Sequence, residues 1–404
     1  MLDGLDVVVI SFAAPAIVDE WAIMPQALGI VFSAALVGMT LGAMFLAPLA
    51  DVIGRRNIIM ICIVIMASGV FLTAFAQNVM QLIALRVFSG IGIGAMLASV
   101  ATVAAEFSPD RHKNFIVSAT IAGYPIGATL AGLVAAQVIP EFGWRAMFII
   151  SAVATIAPLP VIAFLMPESI SFLTDKQPSG ALNKLNRIFA RMGVKQLISL
   201  PPLTEQQNHN AVVHALFTPK HCRSTLLLWL AFFMAFVTLY FLISWIPKLA
   251  MNTGLTLDLA IYAGTIFNLG SFFGIAAQGY FSQLFGLRRT ILIFFVAAAI
   301  LMFVFSLFTE SITILMMFGL MGFGVQGGFV GLYTVAARLY PTVIRTTGIG
   351  WAIGAGRTGA IFGPMAGGVL VAVGLSMTAN FVVFAIPIIL AGIATMMIRN
   401  PDIR

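Results

Sequence analysis

Four charged side chains stand inside stretches of this sequence that offer them no water: Asp3, Asp6, Arg86 and Arg357. A charge in an apolar span costs about 2.5–3.5 kcal/mol even on a lenient insertion scale, so each needs a partner or a task. Asp3 and Asp6 flank Gly4, and their spacing puts both carboxylates on one helix face. Two neighbouring carboxylates at low dielectric cannot both stay ionised cheaply, which suits a reversible proton carrier. An equally open reading places them at a solvated helix end. Arg357 lies in Gly354-Ala-Gly-Arg-Thr-Gly-Ala360, where small neighbours leave room for a planar guanidinium to grip a carboxylate with two bonds. A structural acid partner is the alternative, but the second half of the chain has no acid inside its apolar runs, so an anion from outside is the simpler partner. Arg86, near the start of its run, has the same chemistry or only snorkels to the interface. Asn268, Gln326, Tyr240 and Trp351 add polar and aromatic candidates for ligand contact. An aromatic in such a run is more often packing or an interfacial anchor.

The elements that must position these residues are apolar runs near 20 residues long. The 404-residue chain is 61% hydrophobic and 9% charged, with mean hydropathy +1.06. A soluble domain carries roughly 25% charged residues, and most helices here would lack a polar face. Each run is long enough to cross a hydrocarbon core about 30 Å thick. Six runs precede residue 167 and six follow residue 222, so the reading is an all-α membrane protein with 12 transmembrane helices in two pseudo-symmetric halves. Residues 1–166 form the first half, 167–222 a cytoplasmic central loop and 223–404 the second half. The first run is short and has no charged leader before it, so it is not a secretory signal; the start of its helix is expected upstream of Met1.

The net charge of +7 reflects topology, not nucleic acid. Most Lys and Arg fall in alternate loops and the C-terminal tail, among them Arg55, Arg56, Arg111, Lys113, Lys184, Arg187, Lys220, Arg288, Arg289, Arg345, Arg399 and Arg404. That asymmetry places the basic loops and both termini in the cytoplasm. Cys62 and Cys222 suggest neither disulfide nor metal site, and His112, His209, His214 and His221 read as solvated loop residues. No nucleotide loop, nucleophile triad, metal cluster or cofactor site emerges, so the chain reads as no enzyme.

The charged turn Ala47-Pro-Leu-Ala-Asp51-Val-Ile-Gly54-Arg55-Arg56 has a partner at Gly279-Tyr-Phe-Ser-Gln-Leu-Phe-Gly286-Leu-Arg288. Adding 232 carries Gly54 to Gly286 and Arg56 to Arg288. It also carries Pro15 to Pro247, Gly38 to Gly270, Gly42 to Gly274, Gly90 to Gly322 and Pro109 to Pro341. Parallel repeats of this kind build transporters whose substrate site lies at mid-membrane between the halves. Glycines four apart let helix backbones approach in lipid, so packing explains most of them. The repeat is uneven: Asp51 maps to Gln283 and Glu106 to Arg338, which makes the first turn the stronger latch.

With these residues in hand the chain resembles the major facilitator superfamily of transporters. The loop motif departs from the family pattern at Ala47 and Val52, while Asp51, Gly54, Arg55 and Arg56 stand; Arg86-Val-Phe-Ser-Gly90-Ile-Gly92-Ile-Gly94 resembles a second family motif. A narrower resemblance is to aromatic acid:proton symporters. It rests on Asp3-Gly4-Leu5-Asp6, Gly123-Tyr-Pro-Ile-Gly127, Phe142-Gly-Trp-Arg145, Pro167-Glu-Ser169 and Gly356-Arg357-Thr-Gly359-Ala-Ile-Phe-Gly363-Pro364. The resemblance implies that the Asp3/Asp6 pair is needed for transport and that substrates are benzoates, hydroxybenzoates or muconate.

The expectation is a monomer in the inner membrane that imports a small organic carboxylate with H+ by alternating access. Arg357 would pair with the anion and Asp3/Asp6 with the proton. Asp51 is expected to cap the helix containing Arg357, and Arg55 to reach Glu106, closing a cytoplasmic gate. A drug:proton antiporter shares the architecture but has less need of Arg357. A non-transporting sensor working through the central loop is the remaining alternative.

Overall fold

The computed structural model describes residues 1–109, 113–193, 195–201, 216–218, 221–308, 310–340 and 342–398. Arg111, His112, His209, His214, Lys220, Pro341, Arg399 and Arg404 lie outside the described residues. Among the described residues the regular structure is helical throughout. In lipid a helix satisfies every backbone group within itself, which is why apolar runs of this length fold so.

The first half comprises α1 (Leu2–Trp21), α2 (Pro25–Leu41), α3 (Arg55–Thr73) and α4 (Val79–Glu106). The run Lys113–Ile156 then bends at Gly143 (φ 79, ψ 167), which separates α5 (113–142) from α6 (144–156). After Pro158, α6 resumes as Leu159–Leu165. The second half comprises α7 (Cys222–Asn252), α8 (Leu257–Phe285), α9 (Leu287–Val304), α10 (Ser311–Leu339), α11 (Thr342–Ala372) and α12 (Met377–Met397). Nine of the described helical segments are long and apolar enough to span by themselves. One of these, Ala122–Leu165, is the bent pair and counts twice. The acid-bearing α1 and the glycine-rich α11 complete twelve. The central loop is more ordered than its polar sequence suggests, with helices at Ile170–Asp175 and Ala181–Met192.

The repeat survives as contacts, not merely as spacing. A Cβ on Gly42 would collide with the Ile91 carbonyl, and one on Gly274 with the Phe323 carbonyl, which stands 232 residues on. Gly38 and Gly270 likewise abut the carbonyls of Val87 and Gly319. Thus α2 on α4 and α8 on α10 are the same close crossing made twice. Gly54 (φ 97, ψ 147) and Gly286 (φ 84, ψ 147) adopt the same backbone, in a region that favours glycine. Each half also ties its third helix to the end of its sixth. The Arg56 guanidinium donates to the Ala163 carbonyl, and Arg288 to that of Ile398.

The halves meet through α2 against α11 and α5 against α8. Among the described residues, their junctions gather at the end opposite the basic loops. Ser33 Oγ donates to the Ile361 carbonyl (2.7 Å), Gly29 abuts Pro364, and Phe32 meets Trp245 edge to face at 5.3 Å. Phe12 of α1 fills the notch between Gly132 of α5 and Gly264 of α8. At the same end Glu20 accepts from Trp144 Nε1 (2.7 Å) and from the Arg145 guanidinium (2.8 Å), fastening α1 to α6. The loop motif around Trp144 and Arg145 therefore anchors the first helix.

Candidate functional site

Close packing of α1 against α5 and α4 creates the polar centre of the first half. Gly4 lies so near the Tyr124 carbonyl that any side chain there would collide, which brings Asp3 to the tyrosine. Asp6 is fully buried, and its carboxylate accepts from Thr155 Oγ1 of α6 at 3.1 and 3.3 Å. Arg86, 1% exposed, donates to the carbonyls of Asp6 (3.0 Å) and Val7 (3.4 Å). It neither snorkels nor reaches toward solvent; it holds the backbone of α1 and lies within electrostatic range of the Asp6 carboxylate. The two aspartates are therefore in different places: Asp6 in a sealed pocket, Asp3 partly open, with 14% of its side chain exposed.

The second half contributes an aromatic wall. Phe232, Phe236 and Tyr240 follow one stripe of α7, and Gln326, Phe329 and Tyr333 one stripe of α10. Phe236 packs on Phe329 at 4.7 Å and on Tyr240 at 5.7 Å, while Tyr333 meets Phe232 at 5.2 Å. Offset-stacked and edge-to-face pairs of this kind each contribute about 0.5–1.5 kcal/mol beyond area burial. Gly356 rests on Phe232 and Phe236, which sets the next residue, Arg357, beside that wall. Tyr240 lies within electrostatic range of both Arg357 and Asp3, Tyr333 of Arg357, and Tyr124 of Asp3 and Tyr240.

Asp3 of one half and Arg357 of the other thus both lie within electrostatic range of Tyr240, with Tyr124 near the first and Tyr333 near the second. Two buried polar atoms nearby, Tyr124 Oη and Gln326 Oε1, have no hydrogen-bond partner among the described residues. Chemically this is a cationic fork, an aromatic face and spare hydrogen-bonding groups, a set that fits a flat carboxylate. Asn268 is buried, with its Nδ2 committed to the Gly264 carbonyl (2.8 Å).

Trp351 is not part of this set. It is 48% exposed and stacked on Trp229 at 5.9 Å, on the α11 stripe that also exposes Phe362, Met365 and Val369. That stripe faces outward, as an interfacial anchor would. Thr155, Tyr124 and the wall residues Phe232, Phe236 and Phe329 are among the residues that sequence reasoning passed over. Tyr124 was visible within Gly123-Tyr-Pro-Ile-Gly127, whereas a lone threonine in an apolar run carries no signal.

At the basic end the first charged turn forms a network within its own half. Arg55 pairs with Glu106 and donates to Ser169 Oγ at 3.3 Å. Glu106 also accepts from Ser169 Oγ (2.7 Å) and the Ile170 N–H (3.1 Å). Glu168 caps the start of α3 through the Arg56 N–H (3.1 Å), where the helix dipole favours an anion. Pro167-Glu-Ser169 therefore completes the turn. Asp51 is 71% exposed with Arg55 at 3.8 Å. Two open surface hollows, along Met60, Val64 and Leu159 and along Leu72, Phe75 and Leu85, lie on apolar flanks and contain none of these charged residues.

Two six-helix halves in a 232-residue register, with the half-buried charges Asp3 and Arg357 brought near one tyrosine between them, define a multi-pass membrane transporter. The sequence matches the Major Facilitator Superfamily over residues 1–278 and 228–403, and the chain belongs to that family. It is 31% identical to the 4-hydroxybenzoate transporter PcaK of Pseudomonas aeruginosa, covering 98% of this chain and 89% of that one. It is 32% identical to a gallate transporter of Pseudomonas putida (98% and 88% covered) and 28% identical to a benzoate transport protein of Acinetobacter baylyi (99% and 87%). The inward-open conformation of the xylose transporter XylE from E. coli superposes with TM-score 0.76 at 18% identity, covering 99% of this chain and 93% of that one. That likeness shows the shared fold.

Proposed function

We propose that this protein imports a small aromatic carboxylate together with H+ across the inner membrane by alternating access, with the basic loops and both termini in the cytoplasm. The observation that carries the reading is the meeting of Arg357, the Phe232/Phe236/Phe329 wall and Asp3 at the junction of the halves. The aromatic-acid transporters among its relatives support it. The substrate carboxylate pairs with Arg357 and its ring lies on the aromatic wall. Asp6, sealed under Arg86 and Thr155, takes the proton whose arrival changes what α1 can pack against. Junctions gathered at the end opposite the basic loops fit a conformation that opens toward the cytoplasm. The protein works as a monomer with lipid around it and needs neither metal nor cofactor.

Counterflow in liposomes tests the substrate class. Labelled 4-hydroxybenzoate and benzoate are expected to exchange, while hydrophobic cationic dyes are not. Exchange of the dyes with no exchange of the acids would replace this reading by a drug:proton antiporter.

The gate reading makes a separate prediction. Asp51, exposed when the cytoplasmic side is open, would dock on the N-terminus of α11 when that side closes. Asp51→Asn is then expected to raise cysteine labelling of cytoplasmic vestibule positions several-fold, because a dipole contact of roughly 0.3–1 kcal/mol or more is lost. Unchanged labelling removes Asp51 from the gate.

A further inference from the structure

The central loop carries a surface that transport leaves unused. Residues 176–200 contain Lys176, Lys184, Arg187, Arg191 and Lys195 and no Asp or Glu. All five are exposed, and among the described residues none of them joins an ion pair. Lys184, Arg187 and Arg191 follow one side of the helix Ala181–Met192. The apolar side of that helix is already occupied: Ala181, Leu185 and Ile188 are buried with Leu173 against Phe107, Ile170 and Phe172. The helix is thus docked beside the end of α4, at the basic end of the bundle, with its cations turned outward.

The chain beyond the helix is held just as specifically. Gly193 (φ 70) ends the helix in the left-handed conformation. Asn186 Nδ2 donates to the Leu197 carbonyl (2.9 Å), and the Leu197 N–H donates to Asn186 Oδ1 (2.8 Å). This two-bond clamp folds the chain back and leaves Ile198 96% exposed and Met192 45% exposed. A clamp that holds an isoleucine in water beside five unpaired cations makes sense against a surface that is anionic outside and apolar beneath.

We propose that residues 176–198 are a peripheral contact for the anionic phospholipid headgroups of the bilayer that holds the chain. The cations meet headgroup phosphates, and Ile198 and Met192 enter the interfacial layer. A nucleic acid would match the cations but gives the two apolar side chains no place. The proposal goes beyond transport and does not depend on which substrate is carried.

Hydrogen exchange of the full chain in nanodiscs tests it. Residues 181–192 and 195–198 are expected to exchange about tenfold more slowly in phosphatidylcholine mixed with phosphatidylglycerol than in phosphatidylcholine alone. The Lys184→Gln/Arg187→Gln/Arg191→Gln variant should lose that difference, as should the native chain in high salt. Ile198→Ser should weaken it while leaving the salt dependence. Substrate counterflow by each variant confirms that the protein is folded. Equal exchange in both lipids overturns the proposal, as does protection that survives removal of the three charges. Slowing by an added RNA oligonucleotide, in place of anionic lipid, assigns the surface to nucleic acid and overturns it too.

Discussion

Replacing Asp6 with Asn is expected to abolish uphill accumulation of substrate while leaving downhill counterflow in place. The amide keeps the shape and can still accept from Thr155 Oγ1, so the pocket beneath Arg86 survives. What it loses is the ability to carry a proton. Each unit of pH gradient is worth about 1.4 kcal/mol per proton, which corresponds to roughly tenfold accumulation. With one proton and one monoanion the cycle is electroneutral; each further proton adds about 2.3 kcal/mol per 100 mV of membrane potential. Proteoliposomes with an acidic exterior measure the effect directly. Native protein should accumulate labelled 4-hydroxybenzoate, and Asp6→Asn should only equilibrate it. Retained proton-driven accumulation would exclude Asp6 as the carrier and leave Asp3, the more open of the pair, to be tested in the same way.

The second large effect is expected at Arg357. Truncating one partner of a buried, hydrogen-bonded charge pair costs about 2–5 kcal/mol, so Arg357→Ala should weaken substrate binding by roughly 30-fold or more. Arg357→Lys keeps the charge but not the planar fork, and should fall between the two. Binding measured by isothermal titration, together with counterflow, separates affinity from turnover. If Arg357→Ala binds benzoate-like acids as tightly as the native chain, the anion lies elsewhere and the tyrosines are structural. Gly356, against Phe232 and Phe236, offers a control: packing damage there should lower thermal stability, whereas loss of the guanidinium should not.

The halves, their register and the charged turn were legible because they are written in residues an apolar chain uses sparingly. Arg56 and Arg288, Pro15 and Pro247, and Gly54 and Gly286 each mark a place where the backbone or a charge is constrained. Which way a side chain faces was not legible. In water, apolar and polar faces alternate and reveal the inside of a helix; in lipid both faces are apolar. Trp351 and Tyr240 therefore look alike as aromatic candidates, yet one stacks on Trp229 at the outside and the other joins Arg357 and Asp3. Arg86 was visible as a buried charge, but its use on the carbonyls of Asp6 and Val7 depends on how α4 meets α1. Glu168 and Ser169 appeared as a motif without a task until the fold brought them beneath Arg55 and Arg56.

The arginine clamps at the ends of the sixth and twelfth helices have a mechanical meaning. Arg56 on Ala163 and Arg288 on Ile398 close each half into a hoop, with its last helix latched to its third. A hoop resists shear among its own members, so the compliance of the molecule is driven to the α2/α11 and α5/α8 crossings. Under the proposed rocking the halves behave as two stiff levers, and the notch that holds Phe12 between Gly132 and Gly264 lies at their fulcrum.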